Sequence, residues 1–267
     1  MKRLLKLFIL FLLINSYSFA ETENIQIPCN IKECNPKFGY TYTKWYKGDK
    51  TKPAIIWFGG GKSDYTQVSG QPISNLVDKF DIIMVASPIA IDSKNREGYP
   101  YNAYVDWNVY RMKQVTEHYK KLLNKPIWLG GISAGGPRMI GILIGSEKDR
   151  PSDNYAGLIF SSPYVSKYHQ GQATLNMPLY RIKYKMNLPI LIFQHARDHK
   201  GAQHPAVQKR FRDQLAKYNS SKTELVLTTE GDPKITTYDG PGSHHWFATN
   251  KDEVARLVSK FILDNTK

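Results

Sequence analysis

Short apolar runs, most of them closed by glycine, proline or serine, alternate along this chain with stretches whose apolar residues recur at helical spacing. The runs at residues 53–58, 81–86, 127–130, 155–160 and 188–193 are almost wholly apolar and four to six residues long. That is too short for buried helices and matches strands covered on both faces, as in a parallel sheet. The aromatic and β-branched stretch 38–46 predicts an edge strand or hairpin, and residues 224–228 predict a last strand. A second extended piece is expected at 234–238, after the turn Gly231-Asp232-Pro233. Val105, Val109, Met112, Val115 and Tyr119 form one stripe of a helix over 103–123, which Asn124-Lys125-Pro126 ends. Val254, Leu257, Val258, Phe261 and Ile262 do the same for a closing helix over 251–263. Shorter helices are predicted at 74–80, 139–144 and 206–218. Residues 87–102, with Pro88, Gly98 and Pro100, read as an exposed loop, and 164–187 as an irregular insertion rich in tyrosine and basic residues.

Strands alternating with helices specify an α/β domain, a mostly parallel central sheet with helices on both faces. In such sheets ligands bind outside the carboxyl ends of the strands, where the glycine-rich and polar segments of this chain fall. No internal repeat, low-complexity tract or linker divides residues 21–267, so a single domain is expected. Residues 1–20 read differently. Met1-Lys2-Arg3 is basic, residues 4–14 are apolar except for Lys6, and Ser18 and Ala20 stand where a signal peptidase reads small side chains. A cleaved signal peptide and a secreted or periplasmic chain starting near Glu21 are expected, with an uncleaved anchor as the alternative.

In an oxidising compartment Cys29 and Cys34 would close a small disulfide loop bracing the N-terminal segment; two cysteines so close together do not make a metal site. Removing Lys2, Arg3 and Lys6 leaves 34 basic against 23 acidic side chains, a formal charge of about +11. Such a surface attracts anionic partners. The basic residues are scattered, which argues against a dedicated nucleic-acid domain.

The chemistry concentrates in residues 128–138, the end of a strand, a tight turn and the start of a helix. They contain Gly131-Ile132-Ser133-Ala134-Gly135, a G-x-S-x-G match that exposes a serine hydroxyl on a strained strand-to-helix turn. A serine is a weak nucleophile at neutral pH and needs a histidine base, itself held by a buried carboxylate. On this order of elements the acid and then the histidine should follow the serine in the chain. Asp198, in the loop after the fifth strand, is the candidate acid. Asp239 is a rival because it leads into the histidine loop, and Asp213 is a poor candidate inside a helix.

For the base, Gly242-Ser243-His244-His245-Trp246-Phe247 offers two adjacent histidines. A G-x-x-H-x-[FW] alignment selects His245, and reading Gly-Ser-His selects His244. His195, His199 and His204 read as surface histidines. Acyl transfer also needs donors aimed at the developing oxyanion. The backbone N–H of Ala134 is one candidate; the other lies in Phe58-Gly59-Gly60-Gly61, with Gly60 the expected donor. The same glycines followed by Lys62-Ser63 lack the G-x-x-x-x-G-K-[ST] spacing of a phosphate loop.

On these residues, from Pro53 to the C-terminus, the chain resembles a secreted serine esterase of the α/β-hydrolase family. It is similar to the small single-domain esterases, including the feruloyl-esterase and polyester-depolymerase types. The resemblance implies the α/β-hydrolase fold and a carboxylic ester substrate cleaved through an acyl-enzyme, with neither metal nor cofactor. It assigns Ser133 as nucleophile, Asp198 as acid, His245 or His244 as base, and Gly60 with Ala134 as oxyanion donors. Phe58 departs from the family, many members of which carry histidine before these glycines. A serine peptidase or acyltransferase on the same fold is the alternative enzyme, since the triad does not choose between water, alcohol and amide. A binding protein for an anionic glycan is the non-catalytic alternative. Tyr99, Tyr101, Tyr104 and the segment 164–185 are candidates to frame the substrate.

Overall fold

Each central strand carries apolar side chains on both faces, and this fixes what must cover it. In β3 (Ala54–Phe58), Ala54, Ile56 and Phe58 point to one side of the sheet, Ile55 and Trp57 to the other, and all five are buried. A computed structural model of the chain describes residues 21–28, 40–60, 68–85, 106–169, 172–175, 179–198, 204–235 and 242–266. Residues 1–20, read above as a signal peptide, and Cys29, Cys34, Tyr99, Tyr101, Tyr104, His199 and Asp239 lie outside the described residues.

The remaining strands are, in chain order, β1 (Thr22–Pro28), β2 (Tyr40–Tyr46), β4 (Asp81–Val85), β5 (Ile127–Ile132), β6 (Gly145–Ser146), β7 (Gly157–Ser161), β8 (Ser166–His169), β9 (Gln172–Leu175), β10 (Ile182–Lys183), β11 (Ile190–His195) and β12 (Thr223–Thr228). Eight of them form one sheet in the order β1-β2-β4-β3-β5-β7-β11-β12. The pairs β1–β2 and β2–β4 are antiparallel and the rest of the sheet is parallel. β6 pairs with β10, and β8 with β9 in an antiparallel hairpin.

Four α-helices stand among the described residues: α1 (Asp106–Leu123), α2 (Gly135–Leu143), α3 (Pro205–Ala216) and α4 (Lys251–Asn265). Met112, Val115 and Tyr119 of α1, Met139, Ile140, Ile142 and Leu143 of α2, and Val207, Phe211 and Leu215 of α3 join Ile56, Phe58, Leu129 and Phe160 in one core layer. Val254, Ala255, Val258, Phe261 and Ile262 of α4 cover the other face with Ile55, Trp57, Trp128, Ile159 and Leu191. Each fully buried aliphatic or aromatic side chain contributes roughly 1.5–3 kcal/mol, so both layers are needed to hold the sheet.

The structure departs from the sequence expectations at several places. β1 was not expected: only Ile25 and Ile27 of its seven residues are apolar besides Pro28, and its partner β2 supplies the register. β1 therefore forms the edge, and the aromatic strand β2 lies inside it. The helix expected at 74–80 is a 3-10 turn, Ser74–Leu76, followed by further turns, because most of its bonds close three residues back (Leu76 N–H to Ile73, Lys79 N–H to Leu76). Lys234 and Ile235 are not extended; their N–H groups donate to the side chain and carbonyl of Asp232, which folds them into a turn. Residues 236–238 lie outside the described residues. The insertion 164–187 is more regular than expected, holding the β8–β9 hairpin, a 3-10 turn at Leu179–Arg181 and β10.

Chain direction across the sheet reverses at β3. The connection from β3 to β4 runs to one side, and the next strand, β5, returns to the other side of β3. The crevice beyond the carboxyl ends of β3 and β5 is thus the topological switch point, where open α/β sheets bind ligands. Gly59-Gly60 and Ser133 follow those two strand ends.

Candidate active site

Ser133 is the first of the two residues between β5 and α2, and its φ is 52°, in the left-handed region. For a serine that conformation costs on the order of 1–2 kcal/mol and persists only where neighbours hold it. Its N–H donates to the Ser161 carbonyl at 3.0 Å, and its own carbonyl accepts from Tyr164 N–H at 2.8 Å and Gly136 N–H at 3.1 Å. β7 and the chain after it therefore clamp the serine from one side. The glycines of the motif let the turn close. A Cβ on Gly135 would lie 2.1 Å from the Phe58 carbonyl oxygen, and one on Gly131 would lie 2.9 Å from the Gly135 carbonyl carbon. Gly135→Ala is expected to cost about 3 kcal/mol, the upper end for overpacking, because the clash is with strand backbone. A urea midpoint unchanged from wild type would contradict that close approach.

The candidate oxyanion loop lies against the serine. A Cβ built on Gly60 would meet Ser133 Cβ at 2.8 Å and the Ile132 carbonyl at 3.1 Å, so only glycine passes there. Ala134, between the serine and the first residue of α2, is buried, carries helical dihedrals and is the N-cap of the helix.

The candidate acid and base meet. His245 Nδ1 donates to Asp198 Oδ2 at 2.8 Å, with both side chains 2 % exposed. A carboxylate accepts only, so the proton sits on Nδ1 and the lone pair on Nε2. β11 runs to His195, two residues beyond its expected end, which leaves Asp198 three residues past the strand and not five. Asp198 N–H donates to the His195 carbonyl at 3.0 Å, and Gln194 Nε2 donates to the Asp198 carbonyl at 3.1 Å, which fixes the bend. Ser133 and Asp198 leave strands separated by one strand, β7. Two strand spacings are roughly 10 Å, a gap of the size one imidazole with a hydrogen bond at each end can bridge.

The histidine doublet divides by turn geometry. His244–Trp246 is a 3-10 turn, in which successive side chains point about 120° apart. His245 turns to Asp198, and His244 stacks on His195, ring centroids 4.1 Å apart and planes within 13°. Trp246 stands edge-on to His245, and Phe247, at φ 55°, packs against Phe193 and anchors the turn. His195, expected at the surface, is wholly buried. Its Nδ1 accepts from Arg197 N–H at 3.1 Å, so Nε2 carries the proton and donates to the Glu230 carbonyl at 3.0 Å. Neither His195 nor His244 bonds to Asp198 as His245 does. His204 caps α3, its Nδ1 accepting from Ala206 N–H at 3.2 Å, and Asp213 is an exposed partner of Arg212.

Burial lowers the pKa of both stacked imidazoles, and for His244 the neighbouring His195 lowers it further; the backbone of Glu230 and of Ile235 opposes this at His195 and His244 respectively. The unfolded chain takes up protons at these two sites near pH 6.5 and the folded chain only lower. Their contribution to stability is full above about pH 6.5 and is lost as pH falls from there towards the depressed folded values. Urea midpoints between pH 7.5 and 5.5 should fall, and His244→Phe, which keeps a flat ring on His195, should flatten the slope. An equal slope in wild type and variant would contradict it.

One residue of the site escaped the sequence reading. Arg138, 2 % exposed on α2, donates from Nη1 to the Gly59 carbonyl at 2.7 Å. A lone cation within Gly-Gly-Pro-Arg-Met-Ile-Gly-Ile-Leu was the available signal. Among the described residues no group of three or more His, Cys, Asp or Glu side chains is placed to hold a metal ion, and no helix is long and apolar enough to cross a membrane.

No protein-family model matches the sequence, and no curated protein matches it. Solved structures do match in three dimensions. Dienelactone hydrolase from Anabaena variabilis superposes with a TM-score of 0.59 at 11% identity, covering 93% of this chain and 100% of that one. An esterase from Pyrobaculum calidifontis gives 0.59 at 15% identity, with 92% and 86% covered. An α/β serine hydrolase homologue from Coxiella burnetii gives 0.56 at 16% identity, with 92% and 99% covered. Identities this low speak to architecture alone, and with the mixed, mostly parallel eight-stranded sheet they agree on it: this chain has the α/β-hydrolase fold.

Proposed function

We propose that this chain is a serine hydrolase that cleaves carboxylic esters through an acyl-enzyme, with residues 21–267 as one catalytic domain. The observation that carries the reading is the buried Asp198–His245 pair, with Asp198 leaving the strand next but one to that of a serine held at positive φ on the strand-to-helix turn. Ser133 Oγ attacks the ester carbonyl while His245 Nε2 takes its proton. Asp198 holds the imidazole in the tautomer that accepts this proton and stabilises the cation that forms. The backbone N–H groups of Gly60 and Ala134 receive the oxyanion. Collapse breaks the bond to the alcohol oxygen, which leaves with the proton from His245. Water, deprotonated by His245, then attacks the acyl carbon; collapse breaks its bond to Ser133 Oγ, which takes the proton back from His245 as the acid leaves.

The esterases among the structural neighbours make an ester the substrate class to try first. Within it, the resemblance of the sequence alone to feruloyl-esterase and polyester-depolymerase types suggests the first panel. Matched p-nitrophenyl esters and p-nitroanilides offered to the purified mature chain test the reading. Ester turnover well above anilide turnover is expected; a folded protein inert towards the ester panel would end the proposal. Secretion or periplasmic export rests on residues 1–20 alone. N-terminal sequencing of the exported protein should begin at Glu21, and retention of Met1 would refute cleavage.

A further inference from the structure

Arg138 is a guanidinium buried on a helix whose other residues are all uncharged. Its neighbours Met139, Ile140, Ile142 and Leu143 already fill the core layer beneath α2. A buried cation is costly to desolvate and stays only where its hydrogen bonds are directed. This one reaches 79 residues back in the chain and donates to the Gly59 carbonyl at 2.7 Å.

That carbonyl is half of the peptide unit whose other half is the N–H of Gly60. The amide is planar and trans, so the two bonds point in opposite directions across one rigid plate. Holding the oxygen on Arg138 aims the Gly60 N–H the other way. Gly60 itself lies against Ser133, close enough that a Cβ would touch the serine Cβ at 2.8 Å. Glycine gives the peptide no side chain to fix its orientation, and two consecutive glycines are free to flip it. The charged donor also polarises the amide, which strengthens the N–H as a donor. Ser133 and Arg138 ride on the same turn and helix, so nucleophile and clamp move together.

We propose that Arg138 is a positioning residue for oxyanion stabilisation: it grips the Gly59 carbonyl and so orients the Gly60 N–H towards the oxyanion formed at Ser133. The inference rests on the hydrolase reading above and deepens it.

Arg138→Met and Arg138→Lys test it in the mature chain. kcat and KM are measured on p-nitrophenyl butyrate, and affinity is measured for an aryl trifluoromethyl ketone, whose hemiketal oxyanion mimics the transition state. Losing a donor outright costs about 10²–10³-fold in other oxyanion holes, so misdirecting one should lower kcat by about 10- to 100-fold in the methionine variant. KM should stay within about twofold, the ketone should weaken by the same factor as kcat, and the pH at which the imidazole titrates in the rate profile should not move. A lysine, with one flexible head in place of a planar fork, should lose about fivefold or more. A folded methionine variant with kcat within about twofold of wild type, or a kcat loss without matching loss of ketone affinity, overturns the proposal. If the methionine variant does not fold, the lysine variant decides it: kcat and ketone affinity equal to wild type overturn it. A wild-type protein that neither turns over the ester nor binds the ketone fails the hydrolase reading itself, and the role of Arg138 falls with it.

Discussion

Ser133→Ala is expected to lower kcat for p-nitrophenyl esters by at least about 10⁴-fold while leaving the fold in place. The effect is large because no other group on the turn can form the acyl bond. The fold should survive because the backbone there is held by Ser161, Tyr164 and Gly136, none of which touches the hydroxyl through those bonds. Alanine inherits the left-handed φ of 52° with no new clash, so the thermal midpoint should move by no more than a few degrees. Steady-state kinetics and thermal denaturation on one preparation check both halves. A variant that keeps more than a few per cent of wild-type turnover would remove Ser133 from the chemistry.

The histidine doublet supplies the second large effect. His245→Gln should cost about 10⁴-fold in kcat, since the base and its link to Asp198 vanish together. His244→Phe should cost less than about tenfold, because His244 stacks on His195 and has no bond to Asp198. Asp198→Asn belongs with the first group. An asparagine can offer its amide N–H to Nδ1 and so stabilise the wrong tautomer, which is worth about 10⁴-fold where it has been measured in such triads. The contrast between two neighbouring histidines is the informative part. Equal losses at both positions would mean that the 3-10 turn does not separate their roles.

How much of this was readable beforehand follows from what each feature depends on. The central strands were legible because burial on both faces demands an unbroken apolar run, and Ile55-Ile56-Trp57 or Leu191-Ile192-Phe193 have no other use. β1 was weakly legible, since the alternation Asn24-Ile25-Gln26-Ile27 has only two apolar residues and is fixed as a strand by its pairing with β2. The hairpin of β8 and β9 is likewise a product of pairing, in sequences that mix polar, basic and aromatic residues. Asp198 and His245 lie on loops that the order of elements points to. The choice between His244 and His245 was out of reach, because it depends on a turn of three residues per revolution. The burial of His195 is not legible locally, because nothing near it in the sequence shows that β11 continues through it. Arg138 stood out as an anomaly in an apolar helix, but its target, Gly59, is a contact between distant segments that only the fold creates.

The central claim is that Ser133 is a nucleophile activated by His245 and Asp198. A fluorophosphonate forms a stable bond only to a serine made reactive by its surroundings, so the mature protein should gain one probe mass on the peptide that contains Gly131-Ile132-Ser133. The account predicts stoichiometric labelling there, none in Ser133→Ala, and a rate slowed by orders of magnitude in His245→Gln. A folded wild-type protein that stays unlabelled, or that is labelled equally well after Ser133→Ala, would contradict it.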